Sequence, residues 1–405
     1  MGASMKLQFD LFAPDYKKHS YAFYTELREK APVYKVKMPN GLDAWLITRY
    51  EDALSALKDS RFIKRGRTAL GEERFKKLIV LEESEYLMET MLAMDPPDHT
   101  RLRSLVSKAF TPKMIQGMHE NIQNIADGLL EKMEKGKPID LMSEFAFPLP
   151  IIVISEMLGI PTEDRMKFRD WSNAIIDANN HPDRMRKAGP KIKAFVAYLQ
   201  ELVEKRRQNS TDDLISSLVH AEAEGDKLSE KELYAMIFLL IVAGHETTVN
   251  LIGNGVLALL ENPDQMALLQ QNPELIQTAV EEFLRYYSPV EFTTNRFAIE
   301  DVNWHGETIK KGDMVLVALA SANRDPEQFV NPDQLDITRK HNPHIGFGYG
   351  IHYCLGAPLA RLEAQIAISS LLNRFPDIKP GTSLEQLEWR PSFLMRGLKE
   401  LPVIL

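Results

Sequence analysis

Segments with apolar residues at helical spacing dominate the chain, and few segments show the alternation typical of strands. The spacing predicts helices over 114–136, closing on a glycine, and over 148–160, bounded at its start by prolines. The most apolar pattern covers 229–262 and begins with a capping box, Ser229 followed three residues later by Glu232. At ~1.5 Å per residue, this helix would be roughly 50 Å long and would cross the whole protein.

Strand patterns are confined to two regions of the sequence. The first comprises 31–38 and 43–49, and the second is a hairpin-like stretch over 297–320 with Gly306 and Gly312 at its turns. We find no internal repeat, low-complexity tract or linker. The sequence therefore predicts one mainly α domain over residues 1–405, with a small β-rich part, and not a βαβ array.

Composition narrows the functional classes. The 405 residues are 44% hydrophobic and include a single cysteine, which excludes an internal disulfide and favours a reducing, cytoplasmic environment. The N-terminus has no signal-peptide pattern, and the longest apolar run, 233–244, falls short of the roughly 18 residues that span a bilayer. A net charge of −8 disfavours nucleic acid as a partner. We expect neither a nucleic-acid nor a membrane partner.

The cysteine lies in an unusual segment, HIGFGYGIHYCLGAPLAR, at 344–361. Gly348 and Gly350 permit backbone conformations that other residues resist, and they allow close approach to a flat ligand. Pro358 marks the first turn of a helix just after Cys354, where free N–H groups would stabilise a thiolate. A lone cysteine is most often a small buried apolar residue, whereas a stabilised thiolate suits a nucleophile or a soft metal ligand.

A polar cluster, AGHETT at 243–248, interrupts the most apolar helix. At 100° per residue, Ala243, Gly244 and Thr247 share one face, and His245 points nearly opposite to Ala243. Thr247 can donate a hydrogen bond to the carbonyl of Ala243 and locally open the helix for a ligand or water. A satisfied polar patch inside a buried helix explains the same residues without any function.

The segment 347–356, FGYGIHYCLG, resembles the heme-binding loop of the cytochrome P-450 superfamily, with every fixed position of its pattern matched. The resemblance extends over residues 9–405 and implies the P-450 fold, with heme b between a long distal helix and the cysteine loop, and no fused reductase. It implies that Cys354 is the proximal thiolate ligand of the iron, which favours O–O cleavage. The other cofactor-binding residues of the loop would be Phe347, Gly348, His352 and Gly356.

By the same resemblance, AGHETT matches the oxygen-activating stretch in which an acid–alcohol pair delivers protons to dioxygen. Glu246 and Thr247 are expected to be this pair, since breaking the O–O bond consumes two protons. Ala243 would lie against the heme. His245 is outside the pattern and is expected to pack in the core or at the surface.

Heme propionates require cations, and the resemblance offers four. His99 and Arg103 lie on one helical face of DPPDHTRLR, Arg296 enters a strand, and His352 lies in the cysteine loop. Each could instead be an ordinary surface cation.

The resemblance also implies a structural trio. Glu282 and Arg285 of EEFLRY match the family's Glu-x-x-Arg, which Arg339 is expected to complete. Pairs at this spacing are also common on solvated helix faces.

The family implies a heme-thiolate monooxygenase that hydroxylates a C–H bond of a moderate-sized apolar substrate. Stretches such as MDPPDHTRLRSLVSKAFTP are similar to the bacterial branch of macrolide and polyketide hydroxylases, while steroids and fatty acids stay open as substrates. Dioxygen and two electrons would be needed, the latter from a ferredoxin with its reductase or from a flavodoxin. The alternatives are a peroxide-driven peroxygenase and a non-catalytic heme sensor. We expect a monomer.

Two further sets of residues are candidates for binding. Arg101, Lys108 and Lys113 lie in a stretch without acids, 99–113, and are expected to dock an acidic ferredoxin. Apolar residues that could cover the distal face could equally belong to the core. They are Leu81, Leu87, Ala243, Val290, Phe292, Phe393 and Leu394.

Overall fold

The computed structural model describes residues 10–13, 15–78, 90–178, 181–223 and 228–405. Helices dominate this part of the chain. They are α1 (Tyr16–Lys30), α2 (Tyr50–Lys58), α3 (Gly66–Leu70), α4 (Glu72–Lys76), α5 (Asp98–Ala109), α6 (Pro112–Gly117), α7 (His119–Leu130), α8 (Pro148–Leu158), α9 (Arg165–Ala178), α10 (Pro182–Gln208), α11 (Leu214–Ala223), α12 (Glu230–Glu261), α13 (Pro263–Gln271), α14 (Ile276–Tyr286), α15 (Leu319–Ala322) and α16 (Ala357–Arg374).

The strands are short and lie mostly in the two regions with strand patterns. They are β1 (Val33–Lys37), β2 (Asp43–Ile47), β3 (Phe62–Ile63), β4 (Pro138–Asp140), β5 (Arg296–Ala298), β6 (Val302–Trp304), β7 (Glu307–Ile309), β8 (Met314–Val317), β9 (Lys379–Pro380) and β10 (Pro402–Ile404). The predicted mainly helical architecture with a small β part is confirmed.

The longest helix, α12, forms the centre of the helical core. Its predicted capping box is present, because the Ser229 hydroxyl accepts from the N–H of Glu232 at 3.2 Å and the Glu232 carboxylate accepts from the N–H of Ser229 at 2.7 Å. The helix packs against α8, α9, α10, α14 and α16. At Gly255, a Cβ would lie 2.9 Å from the Phe283 ring, so glycine allows α14 to approach closely.

Helix α12 is apolar over a longer stretch than its uninterrupted apolar run. By length and composition α12 could cross a membrane, although its longest uninterrupted apolar run is too short. In the structure, 67% of its apolar window is buried inside the protein. Such burial is typical of the core helix of a globular protein, since lipid is not needed to cover it.

The predicted helix over 114–136 is wrong as a single element. The chain forms α6 and α7 instead, and helical structure ends at Leu130. Gly136 adopts φ +79° in the following turn, where its N–H donates to the carbonyl of Leu405. The helix predicted over 148–160 is α8, which ends at a left-handed Gly159 with φ +71°.

The larger sheet has the strand order β1-β2-β8-β5-β3, with β2 and β8 parallel and the other neighbours antiparallel. Its inner strands β2, β8 and β5 are buried on both faces. Leu46 and Leu316 pack into one apolar cluster and Ile47 and Val317 into another. This sheet fixes the position of Arg296, the first residue of β5, beside β8.

The structure brings Glu282, Arg285 and Arg339 together in the core. Arg285 donates to both carboxylate oxygens of Glu282 at 2.7 and 2.8 Å, and Arg339 Nε donates to Glu282 at 3.1 Å. The side chains of Glu282 and Arg285 are fully buried. Arg285 also donates to the carbonyls of Asn323 and Pro332, so the trio ties α14 to the segment that precedes the cysteine loop.

We predict that Arg285→Leu destabilises the protein by about 3–5 kcal/mol, because it leaves the Glu282 carboxylate buried without its main partner. Arg186→Leu is the matched control, since Asp183 and Arg186 form a pair at the same spacing on an exposed face. The control should cost less than about 1 kcal/mol. Equal losses in denaturant unfolding would show that burial of the pair does not matter.

Candidate functional site

A cavity of about 1000 Å³ lies between α12, α16, β5 and the loop that carries Cys354. Residues from distant parts of the sequence line it together. From the predicted site these are His99, Arg103, Ala243, Thr247, Arg296, Phe347, Gly348, His352, Cys354 and Gly356. The structure therefore brings to one cavity all nine residues that the family resemblance assigns to a cofactor.

The cysteine loop is held in a tight shape by its own backbone. The N–H of Cys354 donates to the carbonyl of Phe347 at 2.9 Å, which closes the loop. Gly348 and Gly350 have φ +75° and +73°, the left-handed region that favours glycine. The backbone conformation therefore requires glycine at both positions, as predicted. Helix α16 starts three residues after the cysteine.

The Cys354 thiol is exposed toward the cavity, yet protein atoms surround the rest of it. This burial raises the pKa of the thiol, while the N–H groups of Gly356 and Ala357 and the Arg103 guanidinium act in the opposite direction. The helix start therefore favours a thiolate, as expected, but loss of solvation outweighs it in the free side chain. A bound metal ion would supply the missing positive charge.

Glu281 anchors both ends of the cysteine loop. It pairs with His344 before the loop at 2.9 Å and with Arg361 on α16 at 2.6 Å. Burial raises the pKa of Glu281, but the two hydrogen-bonded partners lower it more, to about 2. The Arg361 guanidinium also lies 4.6 Å from the centre of the Phe347 ring, so the loop, α14 and α16 form one unit.

On α12, the Thr247 hydroxyl donates to the carbonyl of Ala243 at 3.0 Å, as the helical spacing predicts. Both residues line the cavity. Gly244 has an additional reason to be small. A Cβ at this position would lie 2.9 Å from the Ile154 side chain, so glycine allows α8 to pack against α12.

His245 is buried on the other side of the helix. Its Nδ1 donates to the carbonyl of Ile241 at 2.8 Å, and its Nε2 lies 3.2 Å from the Ser172 hydroxyl. Of the two predicted locations for His245, the core and the surface, the structure shows the core.

Glu246 is buried, with 1% of its side chain exposed, and is ion-paired. The Arg390 guanidinium donates to one carboxylate oxygen and also contacts the Asp177 carboxylate at 3.2 and 3.3 Å. The second oxygen of Glu246 has no hydrogen-bond partner in the described part of the chain. Sequence reasoning identified neither Arg390 nor Asp177, because both are distant in sequence and lie in ordinary charged surroundings.

A cluster of positive or protonatable side chains lies at the other wall of the cavity. His99 and His352 have ring centres 4.3 Å apart, and Arg103 and Arg296 are close enough to lower the pKa of His352. Burial is the main cause, and it lowers that pKa to about 2. Burial likewise lowers the pKa values of His99, Arg103 and Arg296.

Lys64 belongs to this cluster and was not identified from the sequence. It is buried, and its ammonium donates to the carbonyls of Thr294 and Asn295 at 3.0 and 3.1 Å. Burial, and then the charge of Arg296, hold its pKa well below the ordinary value. In the sequence it stands in a basic run, KRGR, which is more typical of a solvated surface.

These side chains fit the carboxylates of a heme. His99 Nδ1, Arg296 Nε and His352 Nε2 are buried without a hydrogen-bond partner within the described residues, and all three residues line the cavity. Unpartnered buried nitrogen atoms beside clustered cations are expected where an anion binds. Together with a thiol facing the same cavity, they match a heme with two propionates and an iron that takes a soft ligand.

The expected substrate contacts divide into three groups. Val290, Leu394 and Ala243 line the cavity. Phe292 and Phe393 do not, because they stack on each other at 4.7 Å and pack into the apolar cluster against α1. Leu81 and Leu87 lie outside the described residues. Apolar lining residues that sequence reasoning missed are Ile175, Ile176, Met185, Phe238, Val242 and Met395.

Comparison with known proteins shows which family has this fold and site. The family model described as Cytochrome P450 matches residues 7–400. The polyketide biosynthesis cytochrome P450 PksS of Bacillus subtilis is 48% identical over 99% of both chains. Its solved structure, from the bacillaene polyketide synthase system, superposes with a TM-score of 0.91 over 98% of this chain and all of that one.

A second solved structure shows P450BioI in complex with an acyl carrier protein ligated to hexadec-9Z-enoic acid. It is 41% identical, covers 96% of this chain and 99% of that chain, and has a TM-score of 0.88. The fold is therefore the P450 fold. The cavity, the thiol-bearing loop and these full-length similarities show that the chain belongs to the cytochrome P450 family of monooxygenases.

Proposed function

We propose that this protein hydroxylates a C–H bond of an apolar, polyketide-like or fatty-acyl substrate at a heme held by Cys354. The observation that carries the proposal is one cavity that contains the only thiol of the chain, the Thr247 hydroxyl and a cluster of buried positive or protonatable side chains. The net reaction takes substrate, dioxygen, two electrons and two protons to an alcohol and water. We further propose that one catalytic domain, acting as a monomer in the cytosol, contains the whole site.

The cofactor would be held from two directions. Cys354 would ligate the iron, and the cation cluster of Lys64, His99, Arg103, Arg296 and His352 would pair with the propionates. When bound, a thiolate-ligated heme supplies electron density that favours O–O cleavage. The protein contributes a rigid loop, which Glu281 holds to α14 and α16.

Proton supply would depend on α12. Thr247 holds its hydroxyl in the cavity by donating to the carbonyl of Ala243 at 3.0 Å, and Glu246 precedes it with a buried carboxylate. A peroxide-driven enzyme needs no protons from such a pair, so its presence favours the use of dioxygen. A non-catalytic heme sensor would not form product with NADPH and an electron-transfer chain.

The substrate is expected to be large and mostly apolar. About 1000 Å³ exceeds what a flat cofactor alone would fill, and α9, α10 and α12 contribute apolar side chains to the remainder. The relatives named above act in polyketide biosynthesis or bind a fatty-acyl chain on a carrier protein. A steroid-like substrate stays open as a further class, because a relative that is 45% identical over 98% of this chain is a vitamin D(3) 25-hydroxylase from Pseudonocardia autotrophica.

Electrons are proposed to come from a ferredoxin with its reductase, or from a flavodoxin, docking near the cysteine loop. Lys108 and Lys113 are exposed on α5 and α6, and α6 packs against α16, the helix that follows the loop. Ile351 of the loop is 53% exposed and would provide an apolar centre for the contact. Arg101 is a weaker candidate than expected, because it ion-pairs with Glu232 of the α12 capping box.

We predict that Cys354→Ala loses thiolate-ligated heme, because the chain has no other cysteine. The measurement is the spectrum of the reduced, CO-bound protein, in which the strongly red-shifted Soret band should disappear. Tyr353→Phe, a neighbouring change that keeps the thiol, should retain the band. A red-shifted band in the alanine variant would refute the assignment of Cys354.

We predict that Thr247→Ala lowers product formation by about 10²-fold or more, while NADPH consumption continues and hydrogen peroxide takes the place of product. Thr247→Ser keeps the hydroxyl and should restore most of the coupling. Product and peroxide per NADPH are measured with the same ferredoxin system. Normal coupling in the alanine variant would remove Thr247 from proton delivery.

We predict that the double change Lys108→Glu and Lys113→Glu slows reduction by ferredoxin about three- to tenfold at low salt, since steering depends on unscreened charge. Lys205→Glu with Arg207→Glu is the matched control, at the end of α10 far along the helix from the cavity. Reduction by dithionite should be unchanged in both. Equal ferredoxin rates in the two double variants would contradict docking at this surface.

A further inference from the structure

Three charged side chains are buried together where α1 packs against two segments of the cavity wall. Lys17 lies on α1, Glu291 follows α14, and Arg396 is near the C-terminus. Their side chains are 5%, 0% and 3% exposed. Lys17 and Glu291 form an ion pair, and Arg396 Nη1 lies 3.9 Å from Glu291 Oε1. The function proposed above uses none of these three charges.

Glu291 and Arg396 belong to two segments that pair with each other through their backbones. The N–H of Glu291 donates to the carbonyl of Leu394 at 2.9 Å. The N–H of Arg396 donates to the carbonyl of Pro289 at 2.8 Å. Hydrogen bonds of this kind fix which residue of one segment lies opposite which residue of the other.

This pairing forms part of the cavity wall. Val290 lies opposite Met395 in an antiparallel bridge. Residues 289–292 and 393–396 are here called the cavity ladder, because four of their side chains line the cavity. These are Pro289, Val290, Leu394 and Met395. A shift of the pairing by one residue would therefore place different side chains against the substrate.

The charged cluster contacts both segments of the cavity ladder from α1. Lys17 Nζ pairs with Glu291 in the first segment and donates to the carbonyl of Phe393 in the second at 3.3 Å. The Tyr24 hydroxyl, also on α1, donates to Glu291 at 2.7 Å. Arg396 donates in return to the carbonyl of Lys17 at 3.0 Å. The cluster therefore fixes each segment relative to α1 and hence relative to the other segment.

Stability alone does not explain why charges occupy this position. Their burial is opposed by the loss of solvation, and apolar side chains of similar volume often hold a core as well or better. The best-attested role of such buried groups is the selection of one register among several. Apolar contacts are non-directional and tolerate a shift, whereas hydrogen-bonded charges have a defined geometry.

We propose that Lys17 and Glu291 are positioning residues that hold the cavity ladder in a single register and thereby determine which carbon of the substrate is hydroxylated. The lining side chains of the ladder then present one fixed surface, so a chain with many similar CH₂ groups is oxidised at few of them. This inference rests on the proposed function and adds specificity determinants outside the residues that line the cavity.

The double change Lys17→Met and Glu291→Gln tests the proposal, because it removes both charges, nearly keeps their volumes and leaves an acceptor for Tyr24. The probe is hexadecanoic acid, whose oxidised carbons are identified by mass spectrometry after turnover with NADPH and a ferredoxin system. We expect the ratio of the main product to its isomers to fall about three- to tenfold, within the range of coupling between residues in contact. The thermal unfolding midpoint should stay close to that of the parent.

A readout that needs no turnover is hydrogen exchange of the heme-loaded protein. The amide protons of Glu291 and Arg396, both in ladder hydrogen bonds, should exchange about threefold faster or more in the double variant. Tyr24→Phe is a milder variant, since it removes one hydrogen bond to Glu291 and no charge. It should change the product ratio and the exchange in the same direction by a smaller factor, and it decides the question if the double variant does not fold.

Arg206→Met with Asp213→Asn is the matched control. It removes another ion pair with little exposure, 17% and 4%, whose atoms are 2.6 Å apart and which joins the end of α10 to the segment before α11. Neither residue lines the cavity or contacts the cavity ladder among the described residues. The control should keep the parental product ratio and the parental exchange of the ladder amides.

Three results would overturn the proposal. The first is a folded double variant with parental product ratio and parental exchange. The second is an equal loss of selectivity in the control, which would mean that general loosening is the cause. The third is a parent that oxidises hexadecanoic acid at many carbons in equal yield. Failure of the proposed function is distinguishable, because the parent would then form no hydroxylated product, while exchange would still report whether the cluster holds the ladder.

Discussion

A cluster of buried positive or protonatable side chains, with Asp95 as the nearby carboxylate, is the constraint on which the site depends. Lys64 and Arg296 are buried side by side, and each lowers the proton affinity of its neighbours. The nearby Asp95 is engaged by the backbone N–H groups of Lys64 and Arg65. Such a cluster is costly in a protein interior unless an anion binds to it. If the carboxylates of a heme paired with this cluster, the unfavourable free energy of burying it would be offset, and heme binding would be strengthened.

The same cavity combines two kinds of rigidity. The cysteine loop is closed by one backbone hydrogen bond and held at both ends by Glu281. On α12, the polar residues are fixed by local contacts, Thr247 to a carbonyl one turn back and Glu246 to Arg390. The proposed reaction needs an electron-rich metal on one side of the cavity and protons on the other. The cysteine loop and the polar residues of α12 must therefore stay at fixed distances from the reacting atoms.

Local signals in the sequence were sufficient for the fold class and for most of the site. The capping box placed the start of α12, and the matched pattern around Cys354 placed the loop, because both depend on residues adjacent in sequence. Helical spacing also predicted the contact between Thr247 and Ala243. These features need no knowledge of how distant segments meet.

What the sequence did not show arises from tertiary packing. Lys64 and Arg390 become functional candidates only when tertiary packing brings Lys64 to the cavity and Arg390 to the Glu246 carboxylate. Phe292 has the apolar character of a substrate contact, yet it stacks on Phe393 in the core, a contact between segments far apart in sequence that no local pattern shows. The break between α6 and α7 was likewise missed, because the apolar spacing continues across it.

The central claim is that the single thiol of the chain holds the iron. Growing the protein with ³⁴S-cysteine and an excess of unlabelled methionine marks Cys354 alone, because no other cysteine is present and the 17 methionines stay unlabelled. Resonance Raman spectra of the heme-loaded protein should then show an iron–sulfur stretching band that shifts with the sulfur isotope. Heme bound in the cavity without any sulfur-sensitive band would mean that another side chain ligates the iron, and the account would be wrong.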